Sequence, residues 1–209
     1  MSEVRDLQMK NLRMALRIKD ESELPPHITY NDYMSLLKEV ENNEYHRYLN
    51  KKLIPYLKDM DKLLMEFMWA LGGGISDIIC LKTGDIDFNK KIITLTVKKM
   101  QGFINNILVS DSLLLDISNF MRKYNVNERC FNFTRQWAWE IVKAYGNKLG
   151  MNLHPHMFRQ RLAIYLLQHG VSDKIIFRRL GDNNALTTIK YYMVIISEGE
   201  REALKGILL

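Results

Sequence analysis

The chain has 209 residues, 47% of them hydrophobic and 26% charged, with only 2 Cys and 4 Pro. That balance supplies a core for one large domain or two small ones, and it excludes disordered, collagen-like and disulfide-scaffold chains. The formal net charge of +6 at pH 7 is open to a nucleic-acid partner without requiring one.

The charge is unevenly placed. Residues 31–87 carry seven basic and ten acidic side chains, whereas residues 88–209 carry eighteen basic and nine acidic ones. A basic half facing a polyanion is one reading, and lysines scattered over a solvated surface is the other. The apolar runs are short and broken by charge, so no transmembrane helix is expected. The first twenty residues lack the apolar core of a secretory signal, and a cytoplasmic chain is expected. Cys80 and Cys130 read as small buried hydrophobes of a reducing compartment.

Taken in chain order, Lys10, Arg13 and Arg17 share a solvated helical face before Pro25 and Pro26 end the first pattern. Residues 1–27 are therefore expected to form a helical segment or linker. Thr29 reads as an N-cap, with Asp32 three residues on in a capping-box position, and a helix is predicted to about Glu41. Leu53 to Leu71 reads as a long helix interrupted near Pro55 and stopped by Gly72-Gly73-Gly74. A short helix is predicted from Ser76 to Leu81. Ile92–Val97 and Phe103–Val109 are β-rich runs around a polar connector containing Gly102, which predicts a hairpin. Helices are predicted at about 111–123, 134–149, 156–168, 172–180, 185–193 and 198–208, with Gly150 and Gly170 as C-terminal stops. Trp137 and Trp139 cannot share a helical face, so one is expected in the core and one partly exposed. Met65, Met68 and Met121 are expected as core filler. The fold class is mainly α with a small antiparallel β-sheet.

The chemistry concentrates in residues 154–194. His156 and Arg159 stand i, i+3 at a helix start, where unpaired N–H groups and a partial positive charge suit a phosphate. Leu180-Gly181-Asp182 and Thr187-Thr188-Ile189-Lys190-Tyr191 follow. His154, His156, His169 and Cys130 form no compact ligand pattern, so no metal is expected. Gly72–Gly74 lacks the following Gly-Lys-Ser/Thr of a nucleotide phosphate loop.

These boxes resemble those of the tyrosine recombinase (phage integrase) family. Pro155 to Gln160 (PHMFRQ) is similar to its PHxLRH box, Leu180-Gly181-Asp182 to its LGH box, and Thr187 to Tyr191 to its TTxxY box. Leu71 to Ile78 (LGGGISDI) resembles TGLRxSEL, and Leu81 to Asp87 (LKTGDID) resembles the segment that follows it. The resemblance covers about residues 28–195 and implies a catalytic domain at 28–209. It also implies that the family's core-binding domain is absent here.

The resemblance further implies DNA integration or recombination by cleaving and rejoining strands through a phosphotyrosine. Tyr191 would be the nucleophile, with Tyr192 beside it more in keeping with a structural role. Arg159 would clamp the phosphate, His156 would serve acid–base work and phosphate contact, and Lys98, with Lys99 as competitor, would be the general acid. No cofactor is needed, because the phosphotyrosine bond conserves the energy for rejoining. Lys99, Arg135, Arg161, Arg178 and Arg179 are expected DNA contacts. The implied partners are double-stranded DNA and further copies of the chain, docked through the C-terminal helix with Leu204, Ile207 and Leu208. No membrane partner is expected.

Two positions depart from the family pattern. Its first arginine falls on Gly74, and its second histidine or tryptophan on Asp182. Strand cleavage is then disabled, leaving a recombinase-like DNA-binding protein, or another cation such as Arg161, Arg178 or Arg179 takes the arginine's place.

Overall fold

In the computed structural model of the chain, the described residues are 26–43, 51–97, 102–169 and 171–180. The predicted helices at 185–193 and 198–208, and the stop at Gly170, lie outside them.

Helix α1 (Tyr30–Asn42) opens on the expected capping box. Thr29 Oγ1 accepts from the Asp32 amide at 3.2 Å, and the Asp32 carboxylate accepts from the Thr29 amide at 3.0 Å. Two otherwise unpaired N–H groups are thereby satisfied, which fixes where the helix begins. Its Tyr33, Leu36 and Val40 face inward at helical spacing.

Helix α2 (Ile54–Leu71) is the centre of the fold, with buried residues from Met60 to Leu71 including Leu64, Met65, Phe67 and Met68. Pro55 does not interrupt it. The proline occupies the first turn, where its missing N–H breaks no hydrogen bond, and a short 3₁₀ turn at Lys51–Leu53 leads in. Gly72 closes α2 at a φ of 58°, its N–H donating to the Met68 carbonyl at 3.2 Å. Helix α3 is only Ile75–Ile78; beyond it Ile79 and Cys80 form a turn, and the expected continuation to Leu81 is not helical.

The sheet has three antiparallel strands in the order β1 (Ile86–Asp87), β2 (Ile92–Val97), β3 (Phe103–Leu108). The predicted hairpin is β2–β3, in register from Ile92↔Leu108 to Val97↔Phe103. Strand β1, two residues long, was too short for any alternation to reveal it. Ile93, Leu95, Val97 and Ile107 turn inward, joined by one polar residue, Asn105.

Helices α4 (Asp111–Tyr124), α5 (Arg135–Lys148), α6 (Pro155–Gln168) and α7 (Asp173–Leu180) follow. Ser110 and Thr134 cap α4 and α5 through their hydroxyls, and Gly150 stands just past the end of α5 at positive φ. One core unites α1–α5 with the sheet and takes in Phe158 of α6; a smaller cluster of Leu162, Ala163, Ile176 and Leu180 joins α6 to α7.

Two expectations about single residues fail. Both tryptophans of α5 are on the outside, Trp137 51% and Trp139 37% exposed, because Ala138, Ile141, Val142 and Tyr145 already form its inward stripe. Cys130 is buried as expected, but Cys80 is only half-buried. Met65 and Met68 are core residues, and Met121 packs against the core's edge. Among the described residues, no helix is long and apolar enough to cross a membrane.

Candidate active site at the meeting of three sequence boxes

Helix α6 begins at Pro155, whose fixed φ suits the first helical position. His156 is exposed and Arg159 half-buried one turn on. Phe158 and Leu162, 1% and 7% exposed, anchor the inner side of α6 and so fix its rotation.

The glycine triplet lies beneath this helix. A Cβ placed on Gly72 would stand 2.3 Å from Leu162 Cδ2, and one on Gly73 would stand 2.5 Å from Leu95 Cδ2 of β2. The turn is thus wedged between the helix that carries Arg159 and the strand that leads to Lys98. Gly74 differs from its two neighbours. Its backbone is extended (φ −65°, ψ 141°), and among the described residues only the Asp77 carboxylate atoms lie within 4 Å of where a Cβ would stand, the nearer at 3.0 Å. Of the three glycines, this is the one where a side chain has room. It is also the position at which the sequence resemblance leads us to expect an arginine.

The other basic residues separate by setting. Arg135 at the start of α5 and Arg178 on α7 are exposed. The Arg161 guanidinium lies flat on Trp69, its Cζ 3.6 Å from the ring centroid, and faces Tyr165 at 5.0 Å. Tyr33 stacks on Trp69 at 4.1 Å with the rings 8° from parallel. Two planar groups that close to one ring must lie on its opposite faces, so Arg161, Trp69 and Tyr33 form a three-layer stack tying α6, α2 and α1 together. Burial pulls the Arg161 pKa below its usual range.

Arg179 of α7 is half-buried. Its Nη2 donates to the Ala70 carbonyl at 3.3 Å, and its own carbonyl accepts from Asn105 Nδ2 at 2.6 Å. Burial lowers its pKa to about 10. This chain of contacts joins the last turn of α2, α7 and β3. Sequence reasoning missed it, although a lone polar residue at an inward-facing strand position was the available signal. Lys98, Lys99, Asp182, Tyr191 and Tyr192 lie outside the described residues.

A mostly helical domain with a small antiparallel sheet, its glycine turn packed under an His-x-x-Arg helix, matches the expected catalytic fold. The chain belongs to the phage integrase family, whose model matches residues 28–196. It is 28% identical over 167 residues to Tyrosine recombinase XerA of Pyrococcus horikoshii, covering 74% of this chain and 58% of that protein. It is 27% identical over 143 residues to Tyrosine recombinase XerD of Neisseria meningitidis, covering 63% and 49%. Its fold is similar to that of a XerA recombinase crystal structure, at TM-score 0.62 and 16% identity over 83% of this chain and 60% of that one. The XerH recombinase bound to its difH substrate is likewise similar, at TM-score 0.61 and 18% identity over 86% and 57%. The chain thus spans less than two thirds of the length of these relatives.

Proposed function

We propose that residues 28–209 act as the catalytic domain of a site-specific DNA strand transferase. The observation that carries this reading is the packing of Leu162 on Gly72 and of Leu95 against Gly73, which brings the glycine box, the hairpin and the His-x-x-Arg box to one place.

In the reaction, the Tyr191 hydroxyl gives its proton to His156 and its oxygen bonds to the scissile phosphorus as the bond from phosphorus to the 5′ oxygen breaks. Lys98 gives the departing 5′ oxygen its proton. Arg159 holds the non-bridging oxygens with its fork of donors, strongest when charge peaks in the transition state, and His156 contacts phosphate and moves protons there. Reversal with a new 5′ hydroxyl rejoins the strands, with no cofactor consumed. The substrate is double-stranded DNA, held through basic side chains of residues 88–209, among them Lys99, Arg135, Arg178 and Arg179. Copies of the chain associate on it through the C-terminal segment at about 198–208.

Gly74 supports a second reading, a DNA-binding protein that no longer cleaves, because one transition-state cation is missing there. The test uses a pool of nicked suicide duplexes with a randomised recognition segment and looks for a covalent adduct on a denaturing gel. An adduct lost in Tyr191→Phe establishes the strand transferase. Retarded duplex without adduct from the native chain, but with adduct from Gly74→Arg, establishes the disabled form. Absence of both adduct and salt-sensitive duplex binding refutes both.

A further inference from the structure

With glycine at position 74, sequence leaves three cations to take the missing arginine's place, and the fold separates them. Arg161 follows Arg159 by two residues, about 200° around the helix, and is already stacked on Trp69. Arg178 is exposed on the outer side of α7. Arg179 alone is tied to the helix that leads into the glycine turn, through its bond to the carbonyl of Ala70, four residues before Gly74.

That bond has an ordinary explanation for one nitrogen only. Ala70 lies in the last turn of α2, whose final carbonyls have no partner within the helix and carry partial negative charge, so a cation there caps the helix. Nη1 is a different matter. It is buried, and among the described residues it has no acceptor. Nor does any described carboxylate pair with the guanidinium. A covered, charged donor without an acceptor is uncommon in a folded protein and calls for a reason. At Gly74, among the described residues, the Asp77 carboxylate alone lies within 4 Å of where a Cβ would stand.

We propose that Arg179 supplies the phosphate-binding cation that position 74 lacks, an inference resting on the phosphotyrosine reading above. Rotation about its side-chain torsions turns the guanidinium from Ala70 into the opening at Gly74, where Asp77 steadies it and the scissile phosphate accepts from Nη1. Arg179 gains and loses no atom in the step. It holds the negative charge that builds on phosphorus while the tyrosine oxygen bonds and the 5′ oxygen leaves. Its pKa of about 10 keeps it protonated at neutral pH.

The experiment measures adduct formation by the full chain on the same pool of nicked duplexes, with Tyr191→Phe as blank and thermal melts as a folding check. Arg179→Met is expected to lower the rate about 10²-fold or more, Arg179→Lys less, and the double variant Arg179→Met/Gly74→Arg to recover it. Gly74→Arg alone is expected to add less than about tenfold, since the position is already served. That last measurement decides the matter even if Arg179→Met fails to fold: a gain of about 10²-fold overturns the proposal. So does a loss under about threefold in a folded Arg179→Met, or a double variant that stays slow, and in those cases the tyrosine chemistry stands. No adduct from either the native chain or Gly74→Arg refutes the phosphotyrosine reading itself, and this proposal with it.

Discussion

Leu162 covers Gly72 so closely that a methyl group on the glycine would stand 2.3 Å from the leucine's Cδ2. The contact fixes the height of α6 above the glycine turn, and Arg159 lies one turn N-terminal to that leucine. The position also has a positive φ of 58°, which an L side chain adopts only with strain. Gly72→Ala is therefore expected to destabilise the fold by about 1–3 kcal/mol. Gly74→Ala, with an ordinary φ and only a movable carboxylate nearby, should change stability by less than about 0.5 kcal/mol. Urea unfolding of the two variants checks this, and equal destabilisation would show that the glycines are equivalent.

Arg161 and Arg178 are both arginines of the basic half, but their surroundings assign them different consequences. Removing the guanidinium from its stack on Trp69 in Arg161→Ala should cost about 1–2 kcal/mol of stability. Arg178→Ala leaves an exposed position and should stay within about 0.5 kcal/mol. As a phosphate contact, Arg178 should instead show its loss as weaker duplex binding, with the salt slope reduced by about 1. Melting curves and salt-titrated fluorescence anisotropy separate the two. An unstable Arg178→Ala or an unshifted Arg161→Ala melt would refute the assignment.

Asn105 is 7% exposed on β3, and its amide donates to the Arg179 carbonyl. Asn105→Leu keeps the volume but leaves that carbonyl without its partner, a cost of about 1–3 kcal/mol. A melt unchanged in this variant would show that water takes over the bond. The loss should reach α7 first, so amide exchange at Ile176 and Leu180 is expected to quicken more than at Leu64 or Phe67 in α2.

The features legible in the sequence are those set by neighbours along the chain. Thr29 with Asp32 writes its own capping box, and the β-branched run Ile92–Val97 alternates over enough residues to declare a strand. Strand β1 could not be read, because two residues carry no period and its pairing is set by β2. The expectation of one core tryptophan in α5 failed for a related reason: which face of α5 is inward depends on the stripe Ala138, Ile141, Val142, Tyr145, and neither indole lies on it. The boxes around Gly74 and Arg159 were visible as patterns. Their meeting through Leu162, and the reach of Arg179 to Ala70, depend on packing between segments about 90 and 109 residues apart, which no local period encodes.

Glu66 of α2 is a buried carboxylate whose charge state the fold controls. It is 9% exposed, paired at 3.4 Å with Lys62, and its Oε2 has no hydrogen-bond partner among the described residues. Burial, only partly offset by Lys62, raises its pKa from 4.5 to about 7. Between those values the folded chain binds more proton than the unfolded chain, so unfolding free energy falls as pH rises. The contribution is fully present below pH 4.5 and is lost as pH climbs through about 7. A shift of that size corresponds to roughly 3 kcal/mol, with the attraction of Lys62 already contained in it. Glu66→Gln has no charge to bury and should lack this component. Its melting temperature, compared with that of the native chain at pH 5 and pH 8, is expected to gain on the native value at the higher pH. A difference between the two proteins that stays constant across that range would show that Glu66 titrates as an ordinary exposed carboxylate.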